Sequence, residues 1–408
     1  MIKSKILIIL LIVSCASFVT SQGYLDNGFV KALSSFAIRL YQEVTTSISD
    51  NVMLSPLSIQ SILSLTMYGA KGDTKQAMFD TMTYSSFENM TYETVAMNFK
   101  ELINGLEGSK AIFTAFKIYV TDLYNLSSDY QKIAIDYFSS EIESMSFRFE
   151  DTTPEKVAAY INSWVARKTK NRIQDLITPY SLKYLNTTRL ILINTIYFKD
   201  TWTKLFTQAN TKPGKFYISA TKSVTANFMS LKSNFLYATL PELNATAITL
   251  SYKNSPMEMI ILLPNARNGL KIMKNLLDIV DWTSENVTNR FQYSIVNLKI
   301  PKWKFEFSVD LGNFLKDMGM SLPFTEDADF TGMLDNYNEN CTIRISKVVH
   351  KTFISVNENG TEASAATAVY MMGSGGPSKP KDFIADHPFI FMLRYNLNIY
   401  FIGQLTQF

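Results

Sequence analysis

The hydrophobic positions of this chain follow two rhythms, one of helix and one of strand. Between Leu25 and Val44, Phe29, Leu33, Phe36, Leu40 and Val44 recur at spacings of three and four, which predicts an amphipathic helix. Ser55 and Pro56 supply an N-cap and a first helical residue, so a second helix is expected to run towards Tyr68 and end at Gly69 to Thr74. Helices are also predicted over Asp129 to Met145, Val157 to Ile177 and Asp310 to Gly319, with helix and loop between Gln76 and Leu106. Strand rhythm appears at Phe113 to Val120, Met257 to Leu263, Ile295 to Phe305 and Ile343 to Val356. Leu190 to Phe198 is an almost unbroken apolar run rich in β-branched residues, the pattern of a strand buried on both faces. No repeat, linker or low-complexity boundary divides the chain, so one domain of mixed helix and sheet is expected.

Composition agrees with a large folded core. The 408 residues are 47% hydrophobic and only 18% charged. Met1 to Ser21 has the build of a secretory signal: Lys3 and Lys5, an apolar run from Ile6 to Val13, then small residues. Cleavage after Ala16 or Ser21 satisfies the small-residue rule, so residues 1–21 are assigned as signal and 22–408 as the folded domain. The apolar run falls short of the ~20 residues that span a bilayer. A secreted, extracellular protein without a membrane anchor is expected. Removing the signal takes two lysines and no acids, so the net charge falls from +3 to +1 and nucleic acid is not an expected partner. It also removes Cys15, leaving Cys341 alone and no internal disulfide. Asn-X-Ser/Thr sites stand at Asn89, Asn125, Asn186, Asn244, Asn286, Asn340 and Asn359, of which some are expected to carry glycans.

Catalytic chemistry finds little support. The two histidines, His350 and His387, lie in a predicted strand and beside Pro388, and no G-x-S-x-G elbow is present. Two histidines and one cysteine in unrelated segments make no metal site, and the Asp335 to Asn338 stretch lacks the Gly and Glu of a calcium loop. The Gly69 and Gly72 pair lacks the spacing and ending of a phosphate loop. No enzyme activity and no cofactor are expected.

The most unusual stretch runs from Val356 to Pro388. From Gly360 to Ala368 nearly every residue is small; with period two, Thr361, Ala363, Ala365, Thr367 and Val369 share one face, while Glu362, Ser364, Ala366 and Ala368 share the other. Small side chains need little clearance and lose little entropy, so such a segment can slide between existing strands. Met371 to Lys381 then supplies three Gly, two Pro and two Lys, the chemistry of a protruding, cleavable loop. Taken alone, the stretch can also be read as a surface linker rich in Ala, Thr and Ser.

The run Glu358-Asn359-Gly360-Thr361-Glu362-Ala363-Ser364-Ala365-Ala366-Thr367 resembles the reactive-loop hinge of the serpins, inhibitors that trap proteases. Matching motifs are spread over most of the chain: Asn51 to Ser58, Ile161 to Ile173, Asn194 to Trp202, Phe324 to Gly332, and Asp386 to Gly403. Asp200 departs from the family's usual Gly, at a turn expected to matter little to function. The resemblance implies an α+β single-domain serpin fold with three β-sheets, about eight to nine helices and an exposed reactive-centre loop at about 358–382. It also implies a shutter of Ser55, Ser58, Asn194 and His350 beneath the central sheet, and Trp202 at the breach where insertion begins. The implied activity is suicide inhibition of an extracellular serine protease by a monomer through a covalent complex. Counting from Glu358 places the reactive bond at Ser374-Gly375, with Met372 and Lys379 as alternatives. Activation by heparin is not expected, because acids match bases around Asn89 to Lys100. A carrier or storage serpin, or an inhibitor of cysteine proteases, remains the alternative; Thr361, Ala363 and Ala365 present no bulky block to insertion and favour the inhibitor. A glycan on Asn359 would sit on the hinge and slow insertion; the site is expected to be unoccupied. The general look is that of an invertebrate secreted member.

Overall fold

The computed structural model describes residues 25–105, 111–335, 337, 342–361 and 379–408. The helices in the first half are α1 (Asn27–Ser47), α2 (Pro56–Tyr68), α3 (Gly72–Thr81), α4 (Tyr92–Asn104), α5 (Ser128–Phe138) and α6 (Pro154–Lys168). Three short ones follow: α7 (Leu270–Asn275), α8 (Glu285–Thr288) and α9 (Gly312–Asp317). The first strands are β1 (Val52–Leu54), β2 (Ile112–Thr121), β3 (Glu141–Met145), β4 (Leu190–Phe198), β5 (Asp200–Thr201) and β6 (Lys212–Tyr217). Then come β7 (Ser223–Leu240), β8 (Ala245–Ser251), β9 (Glu258–Pro264), β10 (Gln292–Pro301) and β11 (Trp303–Asp310). The last are β12 (Ile345–Asn357), β13 (Gly360–Thr361), β14 (Lys381–Ile384), β15 (Phe389–Tyr395) and β16 (Asn398–Leu405).

Local chemistry explains these boundaries. Asp26 caps α1 by accepting from the Phe29 amide, and Thr153 caps α6 with Pro154 at its first turn. The helix expected over Asp129 to Met145 is shorter: Ser139 takes a left-handed backbone (φ 45) after Phe138, and Glu141–Met145 becomes the edge strand β3. Likewise α6 ends at Lys168, where the Thr169 hydroxyl bonds back to the Val165 carbonyl. The strand expected over Ile295 to Phe305 is two strands joined at Lys302, because β10 and β11 belong to different sheets.

The strands form two hydrogen-bonded networks. One has nine strands, in the order β1-β16-β15-β9-β8-β7-β10-β14 with β6 beside β7. The long bent β7 pairs with β6, β10 and β8 in turn, so two of the three expected sheets are continuous through it. The other network is the central sheet, ordered β3-β2-β4-β12-β13-β5 with β11 on β12. Every residue of β4 is buried, as its apolar run predicts. Ile191, Ile193 and Tyr197 pack with Val349 and Phe353 under Ile161, Trp164 and Val165 of α6. Leu190, Leu192, Ile196, Val348 and Ile354 face the main core with α2. That helix is buried from Pro56 to Met67, its polar residues Ser58, Gln60, Ser61, Ser64 and Thr66 included, so it lies inside the molecule.

Candidate functional site

The central sheet is closed. β4 and β12 are parallel, hydrogen-bonded neighbours from Leu190 opposite Ile345 to Tyr197 opposite Phe353. This register sets His350 directly across from Asn194, and the side-chain period of two turns both towards α2.

Four buried polar residues meet beneath that pair. The Ser55 amide donates to His350 Nε2 at 3.1 Å, so Nε2 is an acceptor and the ring proton sits on Nδ1. Nδ1 then donates to Asn194 Oδ1 at 2.8 Å, and the Ser58 hydroxyl donates to the same oxygen at 2.8 Å. Ser55 is N-cap by position only; its hydroxyl donates to the Tyr400 carbonyl at 2.7 Å and ties the cluster to β16. Burial pushes the His350 pKa down to about 3, which keeps the ring neutral. These bonds fix the Asn194 amide with its oxygen towards His350, and they leave Asn194 Nδ2 buried without a partner. The four shutter residues read from the sequence are therefore brought together.

A second cluster lies at the far end of the same strands. After β12 the chain turns through Glu358 and Asn359, and β13 folds back with Thr361 opposite Val356. On its other edge β13 pairs with β5, Thr361 opposite Asp200. The first two small residues of the hinge thus sit between the ends of the two central strands, antiparallel to both. Gly360 has φ 145, and a Cβ there would overlap the Asp200 carbonyl oxygen, so only glycine allows this approach. Trp202 is buried here; its indole donates to the Asn357 carbonyl at 3.0 Å and its amide to Asn359 at 2.9 Å. The ring stacks on Tyr252 at 4.4 Å, and the Tyr252 hydroxyl lies 2.7 Å from the Thr361 hydroxyl.

Glu358 anchors the turn. Lys302 approaches its carboxylate at 2.9 Å and the Thr211 hydroxyl donates to it at 2.7 Å. Burial pushes the Glu358 pKa up, but the bonds from Lys302 and Thr211 outweigh it and hold the carboxyl below its usual range. Lys302, Thr211 and Tyr252 were not anticipated from the sequence. The sequence pattern carried no signal for them: Lys302 lies inside the single strand expected over Ile295 to Phe305. Asp200 also departs from expectation: it is 3% exposed and its carboxylate accepts four hydrogen bonds.

Hinge residues Glu362, Ala363, Ser364, Ala365, Ala366 and Thr367, the reactive-bond residues Met372, Ser374 and Gly375, the sequon Asn340 and residues 1–21 lie outside the described residues. Lys379 is exposed, as are Asn89, Asn125, Asn186, Asn244 and Asn286, while Asn359 is half-buried. Among the described residues, no helix is long and apolar enough to cross a membrane, and no group of three or more His, Cys, Asp or Glu could hold a metal ion.

Comparison with known proteins agrees with this geometry. The model of the family Serpin (serine protease inhibitor) matches residues 31–408. The serine protease inhibitor 42Dd of Drosophila melanogaster is 33% identical over 372 residues, covering 90% of this chain and 94% of its own. The solved structure of Serpin48 from the insect Tenebrio molitor superposes with a TM-score of 0.82 at 30% identity, covering 95% of this chain and all of that one (100%). Human thyroxine-binding globulin in complex with thyroxine reaches 0.81 at 23% identity, covering 93% of this chain and 98% of its own, a likeness of fold alone. The chain belongs to the serpin family. Its α+β fold, central sheet and helices are those of that family, whose members are described as serine protease inhibitors.

Proposed function

We propose that the chain is a secreted, monomeric suicide inhibitor of an extracellular serine protease. The protease serine attacks the carbonyl of Ser374, the amine of Gly375 leaves, and an acyl-enzyme forms. Freed at that end, the hinge strand zips from Thr361 down between β4 and β12, carrying the protease with it and distorting its site before water deacylates the ester. The enzyme does the chemistry, and the inhibitor supplies a fold that relaxes by gaining a central strand.

The observation that carries this reading is the direct pairing of β4 with β12 below a hinge whose first two residues are already seated between β12 and β5. A relaxed sheet would have its added strand in that place. Small residues at Thr361, Ala363 and Ala365 add support, because each must pass into the sheet interior. Signal cleavage near residue 21 and glycans on the exposed sequons belong to the same proposal.

The test is incubation of the mature protein with elastase, subtilisin, chymotrypsin and trypsin, followed by denaturing electrophoresis and mass analysis. A complex that survives denaturation is expected, with a released peptide beginning at Gly375; a start at Gly373 or Pro380 would move the bond to Met372 or Lys379. Cleavage by every protease without a complex would make the protein a substrate or carrier and overturn the proposal.

A further inference from the structure

Asp200 joins the hinge by two routes that close into a ring. Its main chain is the strand partner of Thr361. Its side chain, on the other route, holds the turn after β8: Oδ1 accepts from the Asn254 amide at 3.2 Å and its side-chain nitrogen at 2.9 Å, while Oδ2 accepts from the Ser255 hydroxyl at 2.6 Å. Oδ1 also accepts from the Thr201 amide at 2.6 Å. That turn begins at Tyr252, whose hydroxyl meets the Thr361 hydroxyl at 2.7 Å, so the path returns to the residue paired with Asp200. Two further contacts brace the ring: the Lys253 amide donates to the Thr201 carbonyl at 2.8 Å, and Trp202 stacks on Tyr252.

We propose that Asp200 is a positioning residue that keeps Gly360 and Thr361 seated between β12 and β5, so that insertion starts from a strand nucleus already formed. The proposal rests on the suicide-inhibitor reading for its functional meaning, but the seating itself is a property of the intact protein. Starting a strand between two others costs the entropy of fixing its first residues before any ladder forms, so a pre-seated pair removes the slowest part of zipping. A glycine at position 200 would keep the backbone pairing and lose all four side-chain bonds. An asparagine would keep Oδ1 as acceptor for Thr201 and Asn254, and its amide could donate to the Ser255 hydroxyl in place of Oδ2. The ring therefore needs a branched polar side chain of this length and does not need a charge.

Hydrogen exchange read by mass spectrometry on the intact protein, D200G and D200N separates these cases. In D200G, peptides covering residues 356–361 should exchange about tenfold faster, as expected for loss of a buried side-chain anchor. D200N should stay within about twofold of the parent, and peptides covering Leu190 to Ile196 should be unchanged in both. An unchanged hinge in D200G, or equal acceleration in D200N, would overturn the proposal. The same proteins are then given protease: D200G should divert more molecules to free cleaved product at an unaltered rate of loop attack, with D200N restoring the parent's partition. Should the parent itself form no complex, the suicide-inhibitor reading falls, and the exchange data still decide the role of Asp200.

Discussion

The shutter, Ser55, Ser58, Asn194 and His350, is wholly buried and uncharged, whereas the breach around Asp200, Trp202, Tyr252, Glu358 and Thr361 combines two carboxylates, an ammonium and stacked rings. Both clusters hold the same strands, one at mid-length and one at the end. The shutter bonds depend on neutral donors and acceptors with no water to replace them, so they break together or not at all. The breach is partly wet: Lys302 is 36% exposed at its side chain, so its bond to Glu358 can loosen while the backbone pairs persist. The proposed inhibition opens the sheet in order, from the end inward, and a yielding latch above with an unyielding one below suits that order.

Substitutions that break one latch and spare the other sharpen this contrast. The largest effect is expected from Asn194→Ala, which takes the acceptor from buried His350 Nδ1 and Ser58; about 3 kcal/mol should be lost, read as a lower urea midpoint. Gly360→Ala comes next, since its methyl would overlap the Asp200 carbonyl oxygen; about 2 kcal/mol of seating should be lost, visible as faster exchange over residues 356–361 with the shutter still protected. Lys302→Ala should cost about 1 kcal/mol, because Glu358 keeps the Thr211 bond, and the difference between parent and variant should shrink at high salt, which screens the pair present only in the parent.

The smallest effect is a pH slope assigned to the shutter. His350 titrates near 3 in the folded protein and ordinarily near 6.5, so between these values the unfolded chain binds the extra proton. Its contribution is therefore complete above about pH 6.5 and is lost as pH falls towards 3, at up to about 1.4 kcal/mol per unit. From pH 6.5 to 5.5 that is about 1 kcal/mol. Urea titrations of the parent and His350→Gln should differ in slope over this window, and equal slopes would remove His350 as the cause.

The two clusters also differ in how far the sequence revealed them. His350 and Asn194 sit on long predicted strands, and Ser55 and Ser58 flank a proline that fixes the start of α2, but it was the resemblance to the serpins that named the four as one cluster. Strand register then had only to bring them opposite. At the breach the partners come from turns and strand ends. Thr211 precedes β6, Lys302 joins two strands, and Tyr252 follows β8; no periodicity links any of them to Glu358 or Thr361. Asp200 stood out as a departure from the family pattern, yet its weight became visible only once Asn254 and Ser255 were seen folded onto it. The extra length given to α5 has a related cause: a helix stopped by a left-handed Ser139 carries no glycine to mark its end.

Thermal unfolding before and after loop cleavage decides whether the closed sheet of β4 and β12 relaxes by accepting its own hinge. An inserted strand of about a dozen residues forms ladder bonds on two edges in place of the single β4–β12 ladder, a net gain on the order of 10 kcal/mol at about 1 kcal/mol per bond. Insertion should raise the melting temperature of the cleaved protein by at least about 10 °C. A cleaved protein that melts at or below the temperature of the intact one would contradict it.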